Sequence, residues 1–117
     1  MTPIERDIVR QLLAKFLGEH RGAEHARRGQ DLAKDLGTDY NKIRQCVHYL
    51  RERGHAIGNA TGGKVRGYYL IQTPEEAKHS LADLRSRAVE NWVQHNALAK
   101  AIQQSLNVEV EQLRLGE

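Results

Sequence analysis

The pattern Thr-Pro-x-Glu occurs twice in this chain, at Thr2-Pro3-Ile4-Glu5 and Thr73-Pro74-Glu75-Glu76, and accounts for both prolines. In each, Thr is suited to cap a helix, Pro to occupy its first position, and Glu to reach back to the cap's own amide. Each predicts a helix start. Nine of the ten glycines lie at or before Gly67, and none falls between there and Gly116. The chain therefore divides into a glycine-punctuated segment (1–72), a segment that reads as uninterrupted helix (73–106) and a tail (107–117). About 70 residues is near the lower limit at which one hydrophobic core suffices. A single cysteine, Cys46, supplies neither an intrachain disulfide nor a thiolate cluster, so stability has to come from burial.

Within the first segment Ile4, Ile8, Leu12, Leu13, Phe16 and Leu17 recur at helical spacing up to Gly18, which suits a left-handed terminator. Residues 18–28 are polar and without a clear period, and read as a loop holding at most a short extended piece. Residues 30–36 predict a short helix that buries Leu32, Ala33 and Leu36 and ends at Gly37. Asp39 is placed to cap a further helix over 40–53, with Ile43, Val47 and Leu50 turned inward and Gly54 closing it. Then the period changes. Residues 55–60 and 65–71 are β-rich and flank Thr61-Gly62-Gly63-Lys64, the pattern of a hairpin with a cationic tip. Two strands alone are marginal, so the hairpin has to lie against the helices through Ile57 and alternate residues of 68–71.

Three helices followed by a hairpin is a winged helix-turn-helix layout. Gln30-Asp31-Leu32-Ala33-Lys34-Asp35-Leu36-Gly37, followed by Ile43-Arg44 and Val47-His48-Tyr49-Leu50-Arg51-Glu52-Arg53-Gly54, resembles the helix-turn-helix core of bacterial repressors. The continuation through Ile57 and Gly67-Tyr68-Tyr69-Leu70 is similar to the N-terminal winged domain of the biotin operon repressor family and to small phage-borne winged-helix proteins. The likeness spans roughly residues 4–72. It departs from the repressor pattern in a longer tip, 61–66, and in the absence of a ligase sequence after it, so no biotin chemistry is carried over. The fold class expected is mainly α with a small β-hairpin: a winged helix-turn-helix followed by a long C-terminal helix.

The resemblance implies that the second helix of the pair lies in the major groove of a duplex. With Ile43, Val47 and Leu50 inward, its outer face presents Tyr40, Asn41, Arg44, Gln45, His48 and Arg51. Arginine bridges guanine O6 and N7, and Asn or Gln pairs with adenine N6 and N7, which makes Asn41, Arg44 and Gln45 the candidates for base reading. Tyr40, Lys42 and Arg51 suit phosphates, and His48 completes the face. Lys64 and Arg66 in the hairpin tip suit phosphates or a minor groove. Arg28, with Arg27 before it, stands ready for a phosphate ahead of the short helix. The plain alternative is that these are ordinary solvated surfaces.

Charge agrees with a polyanionic partner. The net charge is +3, but residues 1–72 hold thirteen Lys and Arg against eight acids, and the remainder holds five against seven. Aromatic content of 5% disfavours single-strand binding by base stacking. No two of the six histidines are four apart, and Cys46 and His48 point about 200° apart on one helix, so no metal site is expected. Neither a nucleophile elbow nor a phosphate loop occurs; neither an enzyme nor a cofactor is expected. No apolar run approaches the roughly 20 residues that cross a bilayer, and the N-terminus lacks the basic start of a secretory signal, so a cytoplasmic location is expected.

In the last helix Leu81, Leu84, Ala88, Trp92, His95, Ala99, Ile102 and Leu106 follow steps of three and four. At 1.5 Å per residue this helix would span about 50 Å, against about 28 Å for a 70-residue globule. Trp92, Leu98 and Ile102 would then stay in water unless the helix folds back or meets another chain. A homodimer joined through the stripe from Leu81 to Ile102 would set two reading helices on successive turns of a palindromic site. In the tail, Val108, Val110, Leu113 and Leu115 alternate in a way compatible with a strand, a helical extension or an unstructured end. The function expected is a sequence-specific double-stranded DNA-binding dimer, a bacterial or phage transcriptional regulator or replication-associated factor. The alternative is an interaction module that grips a polymerase or replisome subunit.

Overall fold

The computed structural model describes residues 2–106. Thr2 and Glu5 form the reciprocal cap: the Glu5 amide donates to Thr2 Oγ1 (3.1 Å) and the Thr2 amide to Glu5 Oε2 (3.2 Å), which starts α1 (Pro3–Gly18). A single 3-10 turn (Ala23–His25) follows, then α2 (Gly29–Leu36), α3 (Tyr40–Glu52), an antiparallel hairpin of β1 (Ile57–Ala60) and β2 (Gly67–Leu70), and α4 (Pro74–Leu106). The order of the first five labelled elements is that of a winged helix-turn-helix.

α1 buries Val9, Leu12 and Phe16, with Ile8 and Leu13 half-buried beside them. Ile4 and Leu17 face solvent, because at a helical advance of 100° per residue both fall about 100° or more from the buried line. Gly18 stays inside the helix without a left-handed φ, and the helix ends instead at Glu19, whose amide donates to the Lys15 carbonyl (2.8 Å). Gly37, at φ 66°, does end α2 as expected, and Asp39 caps α3 by accepting the Lys42 amide (2.8 Å). Leu12, Phe16, Leu32, Ile43, Val47 and Leu50 make the core with Ile57 from β1. Cys46 is buried beside them, and burial pushes its thiol up.

The hairpin pairs Ile57 with Leu70 and Asn59 with Tyr68. Tyr68 and Leu70 pack on the helical core, while Tyr69, on the opposite face, is buried with its hydroxyl 3.0 Å from Ser80 Oγ. The extended piece foreseen in the 18–28 loop runs along the outer edge of β2. The Arg27 amide donates to the Tyr68 carbonyl (3.0 Å) and the Tyr68 amide returns to Arg27 (2.9 Å), while the Leu70 amide donates to His20 (2.7 Å). Gly67, at φ 122°, makes this approach possible: a Cβ there would run into the backbone of Arg27 and Arg28.

The second cap departs from expectation. Thr73 Oγ1 accepts the Glu76 amide (3.1 Å), but the Glu76 carboxylate accepts from the amides of Gln72 (2.8 Å) and Ala23 (2.7 Å) rather than returning to Thr73. Burial opposes this carboxylate's charge, yet the backbone donors around it hold its pKa below the ordinary value. With Glu76 and Ser80 so engaged, the first compact unit extends past the expected boundary at residue 72 and runs to Ser80; the second begins at Leu81.

In that second unit Leu81, Leu84, Ala88, Trp92 and His95 are exposed, and Ala99 and Ile102 are half-buried. The rings of Trp92 and His95 stack at 3° with centroids 5.3 Å apart. Val89, Val93 and Leu98 are also exposed, off the stripe. The side chain of Leu106 and the alternating residues of the tail lie outside the described residues. Among the described residues no helix is long and apolar enough to cross a membrane.

Because the Gly67 backbone combines a positive φ with contact against the Arg27 chain, Gly67→Ala should cost about 2 kcal/mol or more in urea unfolding. Gly62→Ala, at a tip position open to solvent, should stay within about 0.5 kcal/mol.

Candidate nucleic-acid interface

Burial of Ile43, Cys46, Val47 and Leu50 turns the opposite side of α3 outward, and Asn41, Arg44, Gln45 and His48 are all exposed there. Tyr40, the first residue of the helix, is 42% exposed and faces an open groove of about 450 Å³. Arg28, Gly29, Asn59, Arg66 and Tyr68 line the same groove. It thus joins the start of α2, the start of α3 and both strands of the wing. Three of the residues singled out from sequence, Arg28, Tyr40 and Arg66, converge on it. Arg28 is the N-cap of α2, which has no side-chain cap. The Arg66 Nε lies 3.5 Å from the Gly63 carbonyl inside the wing tip. Lys64 is exposed but borders a separate hollow, with Val65, Tyr69 and His79.

Other cations are engaged within the fold. Lys42 pairs with Glu5 of α1 (3.0 Å), which raises the lysine and lowers the carboxylate. Arg51 Nε donates to the Ile57 carbonyl (2.8 Å), tying α3 to β1. Both are half-buried; Arg51 therefore does not stand in the exposed row that helical period assigned it, and Lys42, expected to meet a phosphate, is turned toward α1. Their reach is taken up by neighbours that a one-helix projection leaves out. Arg27 grips Asp35 through two bonds, Nε to Oδ2 and Nη2 to Oδ1, each 2.8 Å, with Lys15 3.5 Å from the same carboxylate.

Sequence reasoning missed Tyr68 as a member of this face. Its ring and that of Tyr40 converge over Gly29, where a Cβ would collide with Tyr40 and stand 3.2 Å from Tyr68 Cε2. Burial, with Tyr40 beside it, pushes the Tyr68 phenol up, while Arg51 and Arg44 pull the other way. The available signal was Gly29 itself, a poor helix former standing at a helix start with tyrosines at positions 40 and 68.

No protein-family model matches the sequence, and no curated protein matches it. Among solved structures the chain is similar to a GntR family transcriptional regulator from Listeria monocytogenes, at 18% identity and a TM-score of 0.45, over 97% of this chain and 91% of that one.

The Arg27 guanidinium holds the Asp35 carboxyl at about 2, below its ordinary 3.8. A depressed folded-state pKa contributes stability that is complete above the unfolded value and is lost as the pH falls toward the folded one. Unfolding free energy should therefore drop between pH 4 and 2, and Asp35→Asn should lower stability at neutral pH while flattening that stretch of the curve.

Proposed function

We propose that the protein binds double-stranded DNA, with α3 in the major groove and the wing against the adjoining backbone. What carries this reading is the placement of Asn41, Arg44 and Gln45 on one exposed helical face beside a groove walled by Arg28 and Arg66. The amides and the guanidinium on α3 match base edges. The two arginines on the groove walls suit a phosphodiester chain passing between them; Tyr40 borders the same path, and His48 stands exposed two turns farther along α3. Lys64 suits a phosphate farther along the wing. Lys42 and Arg51, held by Glu5 and Ile57, act as braces for the reading helix.

The likeness of residues 30–54 and 67–70 to repressor helix-turn-helix and wing sequences supports a regulatory role. We infer a transcriptional regulator or replication-associated factor of bacterial or phage type, working without catalysis or cofactor. The apolar surface of α4 supports homodimerisation: Trp92 is 64% exposed, and a second copy would remove the stripe Leu81, Leu84, Ala88, Trp92, His95, Ala99 and Ile102 from water. Such a pair sets its reading helices about 34 Å apart, one turn of B-form DNA. A second reading, a module gripping a polymerase or replisome subunit, is favoured by Val89, Val93 and Leu98, which lie off that stripe and remain exposed.

Selection on randomised duplexes at two salt concentrations tests the central reading. Arg44→Ala should weaken the selected site about tenfold or more with a smaller loss on random DNA, whereas Lys64→Ala should weaken both similarly and make the salt dependence shallower. Equal losses from both variants on all sequences would leave only non-specific binding, and no retention of duplex at low ionic strength would end the reading. In sedimentation, Trp92→Glu should convert a dimer to monomer while leaving the winged unit folded.

A further inference from the structure

The groove between the start of α2, the start of α3 and the wing has no acidic side chain on its walls; its cations are Arg28 and Arg66. Two other open hollows of similar volume, beside Lys64 and beside Arg21, each carry Glu24 on the rim. Among the described residues neither Arg28 nor Arg66 is paired with a carboxylate, in contrast to Lys15, Arg27 and Lys42. The groove therefore attracts an anion without an internal carboxylate competing for its cations.

Asn59 of β1 lines the same groove. The Tyr68 amide and carbonyl are both engaged by Arg27, so they turn away from β1, and Asn59 and Tyr68 oppose one another as a non-hydrogen-bonded pair. Such a pair brings its two side chains closest, which sets the Asn59 carboxamide beside the Tyr68 ring. Ile57, two residues earlier on the strand, is buried in the helical core, so alternation turns Asn59 to that side and away from Ser80. Asn59 is half-buried, and among the described residues its carboxamide has no hydrogen-bond partner. Asparagine is a poor strand former, and an amide withdrawn from water without a partner opposes folding. A ligand in the groove supplies the partner that the fold does not.

We propose that Asn59 is a further DNA-contacting residue: its carboxamide donates to the backbone phosphate that Arg28 and Arg66 draw into the groove, and so fixes where along the groove that phosphate stops. This rests on the double-stranded DNA reading above. The two arginines are exposed, and their attraction acts over a distance and from many side-chain conformations. A neutral amide acts only at hydrogen-bond distance, and Asn59 is held by a paired strand with the Tyr68 ring at its side. Attraction and placement are thus divided between the arginines and the amide.

The test uses the full chain, with affinity measured across a salt series for the duplex that selection retains and for a scrambled duplex of the same composition. Asn59→Ala should weaken both about tenfold, the fold-change of one hydrogen bond to a charged acceptor, with the salt slope unchanged because a neutral amide displaces no counterion. Arg28→Ala and Arg66→Ala should each weaken both and make the slope shallower by about 0.9. Asn59→Asp, of nearly the same shape, should cost about a hundredfold at low ionic strength, and the deficit should narrow as salt screens the repulsion. Asn59→Ala should leave the melting temperature where it was, since no bond within the fold is lost. A further series replaces one phosphate of the selected duplex at a time by an uncharged methylphosphonate. At one position the three alanine variants should each add little to the loss already caused by the replacement, as groups sharing one phosphate require.

Unchanged affinity in Asn59→Ala, with the unmodified protein binding as before, overturns the inference and leaves the DNA reading standing. A loss confined to the selected duplex also overturns it, by making Asn59 a base contact, as do losses that add in full at every methylphosphonate position. A lowered melting temperature that accounts for the lost affinity makes the amide merely structural and overturns it too. An unmodified protein that retains no duplex overturns the DNA reading, and the inference falls with it.

Discussion

The winged unit depends on one close approach of backbone to backbone, where β2 meets the residues just ahead of α2. Arg27 and Tyr68 exchange both of their main-chain hydrogen bonds, and Gly67 lets them come that near. A two-stranded hairpin gains little on its own. Here the extended segment pairs with its outer edge, Ile57 drives one face into the core, and Tyr69 with Gly58 closes the other against Ser80. The wing is joined to the same compact unit as α2 and α3, and its tip stands at a set place beside α3.

That fixity explains how the polar groups are divided. Lys42, Arg51, Arg27 and Glu76 each have partners on another element and serve to join elements together. Asn41, Arg44, Gln45 and His48 are exposed on the outer face of α3, and Arg28 and Arg66 stand on the groove beside it. A helix with the same outward residues on a loosely tethered wing would present the same charge without a preferred geometry. Charge alone favours any polyanion, whereas discrimination between base pairs needs the groups held in register.

Local signals in the sequence reveal most of the scaffold. Gly37, Asp39 and Gly54 each act within a turn of their own position, and the turn between α2 and α3 follows from them. The glycine-rich tip and the change of period likewise give the hairpin. What was not legible involves partners far apart in the chain. Glu76 reads as half of a capping box because its nearest candidate is Thr73, yet Ala23, 53 residues away, takes one carboxylate oxygen and Gln72 the other. The sequence leaves open which alternate residues of 68–71 face inward, and nothing local tells that Ser80 covers Tyr69 on the other face. In the candidate site, the exposed face of α3 follows from helical period alone. The groove does not, since it needs α2, α3 and both strands at once, and Tyr68 enters only through it.

The most direct measurement is an amide NMR titration of the full chain with a duplex bearing the sequence retained by selection. A protein that reads DNA through α3 and the wing shows shifts confined to the start of α2 around Arg28, to residues 40–48 and to the wing tip, with α1 unmoved. Shifts concentrated along α4 with α3 unchanged, or none at all at low ionic strength, would contradict it.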